Sequence, residues 1–357
     1  MRILLVSGSY PPHRCGVGDY VYQLAKTLSE NKTLEIAVLT SVIRNVNINR
    51  NVKVFNCMTS WKIRDLFQAL SVVRQFKPDI VHIQYPTQGY NGRLPKYLPL
   101  FLRIIGIKVV QTWHEYFYES GVNVINLLAC NGLVYVRDDF RIKVPKLIAK
   151  MLSFFSLTHI ANAASIRPVE LSDDQIKKLR GQFPVDKSIV CFFGFAHANK
   201  GLETIFQIAD PKLHHLVFIC ELNTDDQYQA KILKLIHSDE WNGRVTVTGF
   251  LPEERVAEIL AIADAALFPF PSGAGDWNTT LKSAQACGIF LVATTIDETK
   301  IGYDKQRNIH FTGCNNISAM RTALAQNLGR RVRPNLNNEW NRVAAQHLNV
   351  YKEVLNG

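Results

Sequence analysis

The chain has 357 residues, 47% apolar and 20% charged, the composition of a folded globular protein with room for two ordinary domains. The net charge of +11 sits at one end: residues 1–150 hold 20 basic and 9 acidic side chains, while residues 151–357 hold 21 of each. A basic first half calls for an anionic partner, and the lack of any run of eighteen apolar residues argues against a transmembrane helix.

Ile3–Val6 predicts a first strand. This apolar run stops at Ser7-Gly8-Ser9, too short for a signal-peptide core, so a cytoplasmic protein is expected. The turn from Tyr10 to Asp19 follows and opens a helix over Asp19–Leu28. Strands are predicted at Glu35–Leu39, Ile80–Ile83 and Lys108–Thr112, with a helix at Ile63–Gln75, which is the βαβ order of a parallel sheet. Residues 159–187 read as a linker region rich in turn formers, with a short helix over Ser172–Arg180 capped by Ser172. A second alternation follows, with strands at Ile189–Phe193, Leu216–Cys220, Val245–Val247, Ala265–Pro269 and Phe290–Ala293. Its helices fall at 201–208, 226–237, 253–263 and 279–287, and a closing helix spans Asn338–Asn356. The expected fold is α/β with two doubly wound Rossmann-like domains facing each other across a cleft. Residues 1–158 plus 338–357 form the first and 188–337 the second. The seven cysteines are scattered, with no C-x-x-C pair, and read as reduced and mostly buried.

Two turns have phosphate-binding character. Gly16 and Gly18 open the helix after the first strand, where free N–H groups favour an anion and a missing Cβ allows close approach. The turn Phe193-Gly-Phe-Ala-His-Ala-Asn-Lys200-Gly201 repeats the arrangement in the second half. Together they point to a nucleotide diphosphate ligand. No Asp-x-Asp pair is present to hold a divalent metal at such a ligand.

These motifs resemble family 4 glycosyltransferases of the GT-B fold. The resemblance rests on Tyr10-Pro-Pro-x-x-Cys-Gly-Val-Gly-Asp-Tyr20, Asp79-Ile-Val-His-Ile-Gln-Tyr-Pro86, Val109-Val-Gln-Thr-Trp-His114-Glu115 and the Lys200 turn. It continues in Val247-Thr-Gly-Phe-Leu-Pro-Glu-Glu254, Ala286-Cys-Gly288 and the closing Trp340…Tyr351 helix, in the family's order. It implies retaining, metal-independent transfer of a sugar from a nucleotide diphosphate sugar, with UDP- or GDP-sugar as donor and no cofactor. By the same resemblance Lys200 neutralises the donor diphosphate and His114 lies over the donor sugar. Taken alone, Lys200 is also a solvated helix-start lysine and His114 a hydrogen-bonded core histidine. Glu115 is either a partner of His114 or a cap for the next helix.

Gly194, Gly249 and Phe250 match donor-lining turns, although Gly249-Phe250 also reads as plain turn chemistry. The chain departs from the family's pattern where most members carry two glutamates eight apart: those places hold Gly275 and Ser283. Ser283 is then expected on a ribose hydroxyl, Asp276 at the sugar, and Thr279 and Thr280 at phosphate or as helix caps. Phe195 stands where a second basic residue is usual, with Arg14 as a substitute. The segment Arg137–Phe155 interleaves Arg141, Lys143, Lys146 and Lys150 with Leu147, Met151 and Phe154; it reads as an amphipathic helix for an anionic membrane or as an ordinary core helix. The reading is a cytoplasmic transferase, peripheral at the inner face of the plasma membrane, acting on a lipid-linked or oligosaccharide acceptor. Its alternative is a catalytically silent GT-B protein that partners another transferase. Nucleic acid is not an expected partner, because no recognition helix or aromatic-rich binding motif accompanies the charge.

Overall fold

The computed structural model describes all residues except 46–49, 118–123, 153–155 and 276. It divides into two units, Met1–Ala163 with Glu339–Gly357, and Ala164–Asn338.

The first unit is built on strands β1 (Arg2–Val6), β2 (Glu35–Ser41), β3 (Val52–Met58), β4 (Ile80–Tyr85), β5 (Lys108–Trp113), β6 (Gly132–Tyr135) and β7 (Leu157–His159). Among the described residues they form one parallel sheet in the order β3-β2-β1-β4-β5-β6-β7. Both faces are covered, so β1 and β4 are near-continuous buried runs instead of alternating ones. Helix α1 (Gly16–Leu28) lies on one face. The other face is covered by α2 (Leu66–Phe76), α3 (Leu98–Ile104), α4 (Val124–Leu128), α5 (Phe140–Lys143) and α6 (Lys146–Leu152).

The segment read as one amphipathic helix is therefore two. Val144 is extended because Pro145 crowds the residue before it out of the helical region. Ile148 and Leu152 pack into the core, so the core-helix reading accounts for much of the apolar side; Leu147 is 73% exposed. Phe154 and Phe155 lie outside the described residues.

The second unit carries β8 (Ser188–Phe193), β9 (His214–Ile219), β10 (Val245–Val247), β11 (Ala265–Phe268), β12 (Leu291–Thr295), β13 (Gly302–Asp304) and β14 (Ile309–Gly313). Their order is β10-β9-β8-β11-β12-β14-β13, parallel except for the terminal β13. Around them lie α7 (Asp173–Arg180), α8 (Leu202–Ile208), α9 (Gln227–Ile236), α10 (Glu253–Ile262), α11 (Thr279–Ala286) and α12 (Ile317–Asn327). Ser172 caps α7 in a reciprocal box with Gln175. The Arg180 guanidinium forks onto both oxygens of Asp264 at 3.0 Å, so part of the expected linker is bound to this unit. Helix α13 (Glu339–Asn356) belongs to the first unit, where Trp340, Val343, Val350, Tyr351 and Val354 join the cluster under α1. Each such buried side chain contributes roughly 1.5–3 kcal/mol of transfer free energy.

In both sheets the strand order reverses beside the first strand of the unit, between β1 and β4 and between β8 and β11. Ligands of open α/β sheets bind outside the carboxyl ends of the strands at this reversal. The two turns singled out from sequence leave β1 and β8.

Candidate active site

In the first unit the turn after β1 is tied down by its neighbours: the Gly8 N–H donates to Thr87 Oγ1 (2.9 Å) and the Ser41 hydroxyl to the Gly8 carbonyl (2.6 Å). Helix α1 begins at Gly16, and its cap residue Cys15 makes no side-chain bond to the first turn. Gly16 faces open space. A Cβ on Gly18 would stand 3.1 Å from the Ser9 carbonyl, so this glycine serves the approach of α1 to its own turn. Arg14 is exposed in that turn.

His114 follows β5, its N–H donating to the Tyr85 carbonyl at 2.7 Å, and only 7% of the residue is exposed. Its ring partner is Gln84, with Nε2 2.8 Å from Oε1. Burial holds the imidazole pKa down at about 3, so the ring is neutral. Glu115 turns instead to Arg137, 3.1 Å away, and Arg137 also reaches Asp139 at 3.2 Å. Gln84 was not singled out from sequence. The available signal was two polar residues, His82 and Gln84, at period two in a strand whose six residues are all buried.

In the second unit the β8 turn and the segment after β11 pack against each other. A Cβ on Gly201, at φ +64°, would lie 2.4 Å from the Pro269 carbonyl, so only glycine permits this approach. A Cβ on Gly194 would lie 3.0 Å from Thr280 Cγ2. Lys200 holds its Nζ 4.7 Å from the centre of the Phe270 ring. The structure thus brings Gly194, Lys200, Phe270 and Thr280 together at the strand reversal.

Thr279 and Thr280 occupy the first turn of α11 and are half-buried; the cap position belongs to Asn278, whose Oδ1 accepts the Gly275 N–H at 2.8 Å. Gly249, at φ +70°, follows β10 with open space around it, and Phe250 is 62% exposed. Phe195 packs its ring 6.1 Å from His197.

The structure shows Ser283 engaged within its own unit. The residue is fully buried; its hydroxyl accepts the N–H groups of Ser165 (3.0 Å) and Ile166 (3.2 Å) and donates to the Thr279 carbonyl (2.8 Å). It fastens the chain entering the unit to α11. Asp276 lies outside the described residues.

Two doubly wound units in one chain, with the last helix returned to the first unit, constitute the GT-B fold. Residues 187–328 match the family described as Glycosyl transferases group 1. The chain is 22% identical over 333 residues to an uncharacterized glycosyltransferase of Methanocaldococcus jannaschii, covering 82% of this chain and 81% of that one. In structure it is similar to sucrose-phosphate synthase from Thermosynechococcus elongatus, with a TM-score of 0.74 and 16% identity over 100% of this chain and 99% of that one. It is also similar to the catalytic domain of starch synthase IV from Arabidopsis thaliana bound to ADP and acarbose, with a TM-score of 0.69 and 13% identity over 100% and 99% of the two chains. The chain resembles glycosyltransferases of the GT-B fold, and glycosyl transfer is the activity these matches support.

Proposed function

We propose that the protein transfers a sugar, with retention and without a metal ion, from a UDP- or GDP-sugar to a lipid-linked or oligosaccharide acceptor. The observation that carries this reading is the cluster of Lys200, Gly194 and Thr280 at the strand reversal of the unit matched by the transferase family. Lys200 supplies a fixed positive charge where the leaving diphosphate gains negative charge, and the first turn of α11 offers N–H groups and hydroxyls to the same group. Exposed Phe250 offers an aromatic face to the nucleotide base. In the reaction the anomeric carbon–phosphate oxygen bond breaks while the acceptor hydroxyl bonds to the same face of that carbon. The hydroxyl proton passes to the leaving phosphate oxygen. The protein's share is orientation and charge stabilisation.

The first unit takes the acceptor in this reading, and its helix layer supports a membrane setting. Phe67 (79% exposed), Ile104 (71%) and Leu147 (73%) stand out from α2, α3 and α6, all on one face of the sheet. Exposed Lys62, Arg64, Lys96, Arg103, Lys146 and Lys150 lie in or beside the same helices, a composition suited to an anionic bilayer. Among the described residues no helix is long and apolar enough to cross one.

Calorimetry with UDP, GDP and ADP, followed by a screen of the corresponding sugar donors for turnover, tests the proposal. Tight nucleotide binding with slow donor hydrolysis and accelerated transfer to a glycan acceptor is the expected result. Nucleotide binding without turnover of any donor would favour a silent partner protein.

A further inference from the structure

His114 ends a buried chain of polar side chains that the proposed reaction leaves unused. On β4, His82 and Gln84 point to the sheet face occupied by α1 and α13. Gln84 Oε1 lies 2.8 Å from His114 Nε2, and its Nε2 lies 3.0 Å from His82 Nε2. His82 Nε2 is also 2.7 Å from Thr112 Oγ1, and His82 Nδ1 is 2.7 Å from the Tyr351 hydroxyl on α13. A second contact reaches His114 through Tyr20 on α1, whose ring meets it edge-on at 4.8 Å and whose hydroxyl lies 3.3 Å from Nε2 of His347, again on α13.

The donors and acceptors in this chain have a direction. An amide oxygen only accepts, so His114 Nε2 carries the ring proton; an amide nitrogen only donates, so His82 Nε2 is bare and its Nδ1–H donates to Tyr351. His347 donates Nδ1–H to the Val343 carbonyl at 2.8 Å and accepts from Tyr20. Desolvation pushes the pKa of His82 well below the ordinary value and that of His347 to about 4, so no imidazolium stands in the chain. The titratable groups around His114 are Tyr20, His82 and His347, with Tyr351 on the far side of His82 and the Glu115–Arg137 ion pair at the strand end.

We propose that Gln84, His82 and Tyr351 are positioning residues that hold His114 as the neutral tautomer protonated on Nε2, leaving Nδ1 as a hydrogen-bond acceptor for a hydroxyl of the transferred sugar. This rests on the reading that His114 acts at that sugar. A neutral acceptor suits a sugar that gains positive charge as its bond to phosphate breaks, whereas an imidazolium there would oppose it. Helix α13, held to the first unit by its apolar side chains, supplies the far end of this chain through Tyr351.

The test uses the full-length protein labelled with ¹⁵N-histidine, the His114 signals being those lost in His114→Ala. The expected spectrum has a protonated Nε2 and a bare Nδ1 that do not change between pH 5 and 8. In Gln84→Glu a carboxylate replaces the amide, so His114 should titrate at higher pH and kcat should gain an acidic limb at the same midpoint. Tyr351→Phe removes only the terminal hydroxyl and should lower kcat by about tenfold, the worth of one buried hydrogen bond, with nucleotide affinity unchanged. A wild-type ring protonated on Nδ1, or titrating near the ordinary histidine value, would overturn the inference. So would a Gln84→Glu enzyme whose pH profile matches wild type while His114→Ala is impaired, which refutes the relay alone. An unimpaired His114→Ala enzyme would instead refute the placement of His114 at the sugar, and the inference with it.

Discussion

Replacing Lys200 by alanine or methionine separates its charge from its packing. The ammonium stands 4.7 Å from the Phe270 ring centre, and losing that contact costs about 0.5–1 kcal/mol, small beside the roughly 5–15 kcal/mol that holds a domain folded. Methionine keeps an apolar stem over the ring and should melt at the wild-type temperature. The charge matters more: a unit charge about 4 Å from a phosphate oxygen contributes about 4 kcal/mol at an effective dielectric constant of about 20. Only the part that grows in the transition state enters kcat. If about half a unit of charge develops on the leaving oxygen, the loss is about 2 kcal/mol, or roughly thirtyfold in kcat, with donor KM also raised. Initial rates over a donor titration, with melting curves of the same preparations, give both quantities. A kcat within about twofold of wild type in both variants would remove Lys200 from the diphosphate and refute the assignment of the donor site to the β8 turn.

Ser283→Ala should lower stability by about 1–3 kcal/mol, because two buried N–H groups lose their acceptor, while nucleotide affinity in the surviving folded fraction stays unchanged; a selective loss of affinity would instead support a ribose contact. Turnover should persist in EDTA, since Lys200 supplies the positive charge at the diphosphate; a requirement for added Mg²⁺ or Mn²⁺ would contradict the mechanism. The protein should sediment with anionic vesicles at low salt and release as salt rises. The Lys62, Lys96, Lys146 and Lys150→Glu variant should stay in solution and still bind nucleotide, each lysine being worth about 1 kcal/mol at the surface. Equal sedimentation with neutral vesicles would refute the electrostatic part of that reading.

The periodic apolar runs in the sequence predicted the central strands of both sheets, because a parallel strand covered on both faces is a continuous buried run, as in Ile3–Val6 and Ile189–Phe193. What escaped was peripheral: β3, β6, β7, β13 and β14 are short, edge-lying or interrupted by polar residues, and their strand character comes from tertiary pairing. The candidate site shows the same division. The Lys200 turn was legible because a strand, two glycines and a lysine define a local structure. The protein contacts of Ser283 were not legible because its partners, Ser165 and Ile166, lie 118 and 117 residues away in sequence. Gln84 was passed over for a similar reason: its significance depends on His114, 30 residues on, and on Tyr351 at the other end of the chain. A hydrogen bond between distant segments leaves no period in the sequence.

The distribution of charge bears on what each unit recognises. A donor diphosphate needs few cations when helix N–H groups share the work, and the second unit, with 19 basic and 19 acidic side chains over residues 164–338, presents Lys200 at its strand reversal. The +11 of residues 1–150 is therefore not explained by the donor. Nor is that charge spent on the core near His114, where the buried histidines are neutral. Arg137 is paired with Glu115 and Asp139, but Lys62, Lys96 and Lys146 are exposed in or near the helices that carry exposed Phe67, Ile104 and Leu147. A surface offering negative head groups and hydrocarbon together is the partner proposed above for this charge and these apolar side chains.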